Sequence, residues 1–114
     1  MFRQMLKSKI HRATVTDMEL NYEGSVACDP EWLRAVDILP GEKVLVANLN
    51  NGVRFETYAI TGQKGQISLR GAVARLGQIG DRIIIMAFGW MDDEEARSRK
   101  PAIIYMDEVN RPHQ

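Results

Sequence analysis

Few residues in this chain are of a type that does chemistry, and their spacing narrows them further. His11 and His113 are the two histidines, and neither has a serine and a carboxylate placed for nucleophilic catalysis. His11 lies in a strand-like segment and reads as a structural histidine with its hydrogen bonds satisfied. Cys28 is the one cysteine, so no internal disulfide can form, and in an apolar stretch it reads as an inert buried thiol. No Cys/His cluster has metal-ligand spacing. The acids Asp92-Asp93-Glu94-Glu95 read as a solvated helix start, and Gly62-Gln63-Lys64-Gly65 lacks the spacing of a phosphate loop. Gly24-Ser25 carries a more particular chemistry. Glycine reaches unusual backbone angles cheaply, so a serine behind it can sit where its hydroxyl attacks the preceding carbonyl. That attack turns an amide into an ester; elimination and hydrolysis then split the chain and leave a pyruvoyl group on residue 25. On spacing alone, Gly24-Ser25 reads as a turn.

The elements that must hold these residues are mostly strands. Residues 2–16 favour extended structure through Ile10, Thr14, Val15 and Thr16. Asp17 to Glu19 reads as a turn, and Leu20 to Glu23 as a short strand. Asp29-Pro30-Glu31 opens a helix, with an N-cap carboxylate, a proline at the first position and an acid in the first turn. It ends before Pro40-Gly41. Lys43 to Leu49 is a near-continuous apolar run suited to a buried strand, and Asn50-Asn51-Gly52 signals a hairpin. The return strand, Val53 to Thr61, puts Arg54, Glu56 and Tyr58 on one face and Phe55, Thr57 and Ala59 on the other. A turn at Gly62 to Gly65, a strand at Gln66 to Leu69 and a helical turn at Gly71 to Leu76 follow. Asp81 to Met91 is a core strand, Asp92 onward a short helix, and Pro101 to Met106 a final strand. Arg111 to Gln114 reads as a loose tail. Six or seven short strands with small helices between them predict an all-β fold closed into a barrel.

Composition bounds the rest. The 114 residues, 45% of them hydrophobic and 26% charged, suit one folded domain over residues 1–114 and exclude wholesale disorder. Fifteen basic residues balance fifteen acidic ones, which argues against a nucleic-acid partner and favours self-association. No apolar run approaches the ~20 residues of a membrane helix, and the N-terminal residues turn charged too soon for a signal peptide. The expectation is a soluble, cytoplasmic protein without a membrane partner.

A resemblance spans nearly the whole chain. Lys9-Ile10-His11-Arg12, Tyr22-Glu23-Gly24-Ser25 and the run from Asn51 to Ile60 stand where they do in the aspartate 1-decarboxylases. Gly71-Ala72-Val73-Ala74, Gly80-Asp81 and Asp93-Glu94-Glu95-Ala96-Arg97 continue the match in one register. The resemblance implies a six-stranded double-psi β-barrel that cleaves itself between Gly24 and Ser25, giving a β chain of residues 1–24 and an α chain of residues 25–114. It implies decarboxylation of L-aspartate to β-alanine for pantothenate and coenzyme A synthesis, with no metal. The cofactor would be a covalently bound pyruvoyl group made from Ser25. That group forms a Schiff base with the substrate amine and serves as an electron sink, much as pyridoxal phosphate does. A homotetramer with active sites between subunits is implied as well.

Carried onto this chain, the family's roles make Tyr58 the proton donor and place Lys9, Arg54, Thr57, Gly71, Ala72 and Val73 against substrate. Gly24, Ser25 and Thr57 serve processing, while His11, Tyr22 and Arg70 are site residues without a fixed role. Arg54 offers a planar fork suited to a carboxylate; read without the family, it pairs with Glu56 or Asp81, and Tyr58 simply packs. Arg54 and Tyr58 are about 13 Å apart along an extended strand, with Thr57 pointing the other way. One strand can therefore feed Arg54 into one site and Tyr58 and Thr57 into the next. The chain departs from the family at Arg70, where asparagine is usual, at Val73, where alanine is usual, and at Ala47, often tryptophan. Arg70 is expected to turn toward an acidic neighbour, because an unpaired buried guanidinium is costly. Two other functions stay open: the same chemistry on another small amino acid such as glutamate, and an uncleaved barrel acting as a binding or assembly module.

Overall fold

The β-branched and apolar residues of the N-terminal run form one long strand, β1 (Phe2–Thr14), in a computed structural model that describes residues 1–113. Further strands are β2 (Asp17–Glu19), β3 (Ser25–Cys28), β4 (Lys43–Asn48), β5 (Arg54–Thr61), β6 (Ile67–Arg70), β7 (Arg82–Asp92), β8 (Ala102–Met106) and β9 (Pro112–His113). Helices α1 (Pro30–Ala35) and α2 (Asp93–Ser98) and a 3-10 helix, Gly71–Leu76, sit in the connections. The fold is mostly β. All strands join one mixed sheet in the order β2-β6-β3-β5-β4-β7-β1-β8-β9. The β1–β8, β2–β6 and β3–β5 pairs are parallel and the others antiparallel. At the bend between β1 and β2, the Val15 amide donates to Asp81 O and the Thr16 amide to Ile67 O, while the Gly80 amide donates to Val15 O.

The period-2 pattern sets which face is core. Val44, Val46, Phe55, Ala59, Ile83, Ile85, Ile10 and Ala13 pack inward with Val26, Ile67 and Leu69. Each large side chain of this set contributes roughly 1.5–3 kcal/mol through burial. The hairpin forms as its turn residues require: Gly52 has φ +77°, the Gly52 amide donates to Asn48 O, and buried Asn48 accepts from the Asn50 amide. Asp29 caps α1 by accepting from the Glu31 amide and also accepts from the Gly65 amide, tying the helix to the β5–β6 turn.

Three expectations are corrected. Asp17 to Glu19 is a strand instead of a turn, because it pairs in parallel with β6 over Ser68 to Arg70. Leu20 to Glu23 is irregular and exposed instead of a strand, having no partner in any ladder. The tail carries β9, where His113 pairs with Tyr105; Gln114 lies outside the described residues.

Candidate functional site

The head of β3 gathers much of the expected site. Ser25 is buried at 1% exposure and lies across from Arg70 of β6. The parallel β3–β5 ladder begins at Val26 with Ala59, which makes Tyr58 the neighbour of Ser25 one step earlier. Tyr58 in turn pairs with Lys43. Arg70, Ser25, Tyr58 and Lys43 thus form a row across four strands on one face. Lys43 is a cation that reading the residues did not single out, although counting outward from the Asn50-Asn51 turn places it opposite Tyr58. Its Nζ sits 3.0 Å from a Glu56 carboxylate oxygen.

The segment before Ser25 is shaped by Gly71, not by Gly24. Gly24 avoids positive φ and has open space around a hypothetical Cβ, whereas Gly71 has φ +71°. A Cβ on Gly71 would lie 2.6 Å from Tyr22 O and 2.7 Å from both Gly24 Cα and N. The left-handed residue at this place is Gly71, the first of the 3-10 helix, which presses its backbone on Tyr22 and Gly24. Ala72 is exposed and Val73 buried behind it. The Ser25 hydroxyl donates to Glu23 O over 3.4 Å, a long bond. The Ser25 hydroxyl is thus buried and weakly held, next to a Gly24 backbone on which Gly71 packs.

Arg70 does not pair with an acid, contrary to expectation. Its Cζ lies 4.8 Å from the Tyr22 ring centroid, and its Nε donates to Ser68 Oγ at 3.3 Å. Its charge still reaches Asp17. Burial opposes ionisation of Asp17, but hydrogen bonds from Ser68, Thr16 and Gln66, together with Arg70, hold its carboxyl below the ordinary value.

Lys9, His11 and Arg54 stand apart from this cluster. Arg54 pairs in register with Ala47, Ala47 with Ile84, and Ile84 faces the β1 bulge containing His11 and Arg12. Lys9 pairs with Met86 on the same sheet. From β3 to β1 the sheet path crosses four strand spacings, about 19 Å. Arg54 has no ion pair among the described residues: Glu56 is taken by Lys43, and Asp81 accepts from Asn48 Nδ2 and the Gln78 amide. The pairings expected from sequence alone are therefore absent. Thr57, across from Val44, faces away from Tyr58.

His11 is also corrected. Its Nδ1 is buried without a hydrogen-bond partner among the described residues, and its ring meets the edge of Tyr105, centroids 5.5 Å apart. Desolvation, then the charges of Lys9, Arg12 and Arg82, push its pKa below the ordinary value. Cys28 is buried, and burial with the Asp29 charge pushes its thiol up to about 12. It stays a thiol near neutrality. Among the described residues, no group of His, Cys, Asp or Glu is placed to hold a metal, and no helix is long and apolar enough to cross a membrane.

The fold and site together describe a small, mostly β protein with a serine buried at a strand head, between neighbouring strands that carry Arg70 and Tyr58. A family model for aspartate decarboxylase matches residues 1–113. The aspartate 1-decarboxylase of Thermoanaerobacter pseudethanolicus is 56% identical over 114 residues, covering 98% of this chain and 97% of that relative. That of Desulfitobacterium hafniense is 55% identical, covering 98% and 90%, and that of Listeria monocytogenes 54%, covering 96% and 88%. The chain belongs to the aspartate decarboxylase family.

Proposed function

We propose that this chain decarboxylates L-aspartate to β-alanine and CO2, supplying pantothenate and coenzyme A synthesis in the cytoplasm. The observation that carries the reading is Ser25, buried at the head of β3 between Arg70 and Tyr58 in a chain matched by the family end to end. Ser25 Oγ attacks the Gly24 carbonyl carbon, and the chain separates into residues 1–24 and 25–114. The pyruvoyl group so formed supplies an electron sink for the pair left on the substrate α-carbon as CO2 departs.

The chain's own residues do the remaining work. Tyr58 delivers the proton to the α-carbon, from the strand position beside residue 25. Arg54 grips a substrate carboxylate with its fork of donors, and Lys9 adds positive charge. The backbone of Gly71, Ala72 and Val73 supports the substrate, and Thr57 assists processing and binding. Lys9 and Arg54 belong to a site completed by a second copy, in a homotetramer. That arrangement is supported by their separation from Ser25 and by Phe88 and Trp90, apolar side chains left 39% and 69% exposed.

The sheet is read as a six-stranded double-psi barrel. Residues 2–19 form one bent run that pairs with β7 before the bend and β6 after it. The Val15 and Thr16 hydrogen bonds at the bend support closure.

Mass spectrometry of the purified protein is expected to find two chains, of 24 and 90 residues. Ser25→Ala should give one folded chain that makes no β-alanine, since alanine lacks the attacking hydroxyl. Normal β-alanine production by that variant would sink the reading. Separate incubation with glutamate tests the alternative substrate.

A further inference from the structure

Arg70 is a cation to which the roles above assign no task. It lies opposite Ser25 in the β3–β6 ladder, where facing Cα atoms are about 5 Å apart and side chains share a face. The Tyr22 ring holds its guanidinium on one side and Ser68 Oγ engages Nε. No hydrogen bond or ion pair among the described residues occupies its Nη donors. Ser25 stands on one side of the bond to be cut, Tyr22 lies two residues before Gly24 on the other, and Gly71, the residue after Arg70, packs on the backbone of Tyr22 and Gly24. A half-buried guanidinium with free Nη donors thus belongs to the strand residue directly opposite Ser25.

Cleavage changes the charge at that place. After Ser25 Oγ bonds to the Gly24 carbonyl carbon and the C–N bond breaks, the amine of residue 25 is free and an ester joins the two segments. Loss of the residue 25 Cα proton to water then breaks the Cβ–Oγ bond. The bonding pair leaves on oxygen, as the carboxylate of Gly24. The enamine left on residue 25 tautomerises and is hydrolysed by water, releasing ammonia. A negative charge therefore develops on Gly24 during the elimination.

Resting on the reading that Ser25 becomes the pyruvoyl group, we propose that Arg70 drives self-cleavage by binding the carboxylate expelled on Gly24. The stack on Tyr22 and the contact with Ser68 orient the guanidinium, and its Nη donors receive the departing oxygens. The arginine accelerates the elimination, where charge appears, more than the acyl shift, which leaves the ester neutral.

The test follows cleavage of freshly purified Arg70→Gln and Arg70→Lys proteins over time by intact mass. Parallel aliquots are treated with hydroxylamine, which cuts an ester and leaves an unmodified serine at the new N-terminus. Arg70→Gln should process about tenfold or more slowly, with a larger hydroxylamine-sensitive fraction than wild type. Arg70→Lys, keeping the charge, should recover part of the rate. Should Gln disturb the fold, Arg70→Met removes the charge while keeping the apolar stem. Wild-type rates in the neutral variants would overturn the proposal, as would slow processing without ester accumulation, which would put the arginine at the acyl shift. If the wild-type chain itself stays whole, the self-cleaving reading fails, and this proposal with it.

Discussion

At the scale of single residues, the two glycines at the Gly24-Ser25 bond have opposite characters. Gly24 has room for a side chain and an ordinary backbone, so Gly24→Ala is sterically free in the uncut protein. Gly71 combines φ +71° with backbone atoms 2.6–2.7 Å from any added Cβ. Left-handed backbone costs an L-residue roughly 1–2 kcal/mol, and here the clash is with backbone that cannot rotate away. Gly71→Ala should therefore lower the melting temperature and displace residues 22–24, slowing cleavage, while Gly24→Ala leaves the melting temperature near wild type. Thermal melts with intact-mass time courses check both, and equal melting temperatures for the two variants would contradict the argument. The sequence alone named Gly24 as the special residue because it precedes Ser25. The controlling contact joins positions 47 residues apart (71 − 24 = 47), which no local pattern displays.

At the scale of elements, the legible parts were those whose signals are local. The cap at Asp29 with Pro30, the Asn-Gly hairpin and the apolar run of β7 each form where their residues predict. β2 escaped because Asp-Met-Glu has no strand propensity of its own; its ladder to β6 supplies the pairing. β9 escaped because the turn before it is held by Asp107 Oδ1, which accepts from the Val109 and Arg111 amides, with Asn110 at φ 59°. The β1 bulge was also invisible, and it puts His11 against Tyr105 with Lys9, Arg12 and Arg82 around it. That setting makes the fold sensitive to acid. The unfolded chain binds a proton at His11 near 6.5 and the folded chain only at lower pH. Between those values the unfolded state holds more protons, so stability is complete above about 6.5 and is lost as pH falls from there toward the folded value. Melting temperatures measured from pH 7.5 down to pH 5 should decline more in wild type than in His11→Phe, which keeps a ring but cannot titrate. Parallel curves for the two proteins would refute this role.

At the scale of the whole molecule, the function proposed above gives one chain two incomplete halves of a site. Ser25, Tyr58 and the Gly71 segment lie at the head of β3; Lys9 lies on β1, four strand spacings away, and Arg54 about 13 Å from Tyr58 along β5. The strand-alternation argument already contained this separation, and the unpaired state of Arg54 sharpens it, since nothing in its own subunit among the described residues neutralises the guanidinium. In the proposed tetramer, a second copy places its Arg54 near this chain's Ser25. The halves can then be exchanged between subunits. Arg54→Ala alone should fold and cleave itself, because processing handles no external carboxylate, yet lose roughly a hundredfold in turnover. Ser25→Ala alone should be inactive. Co-expressed in equal amounts, the two defective chains form hybrids in which an intact Ser25 from the Arg54→Ala chain meets an intact Arg54 from the Ser25→Ala chain. With random mixing, about one site in four receives both good halves, so the mixture should recover about a quarter of wild-type activity. Activity no greater than that of the Arg54→Ala chains present would place the whole site in one subunit, and Arg54 would then need another function.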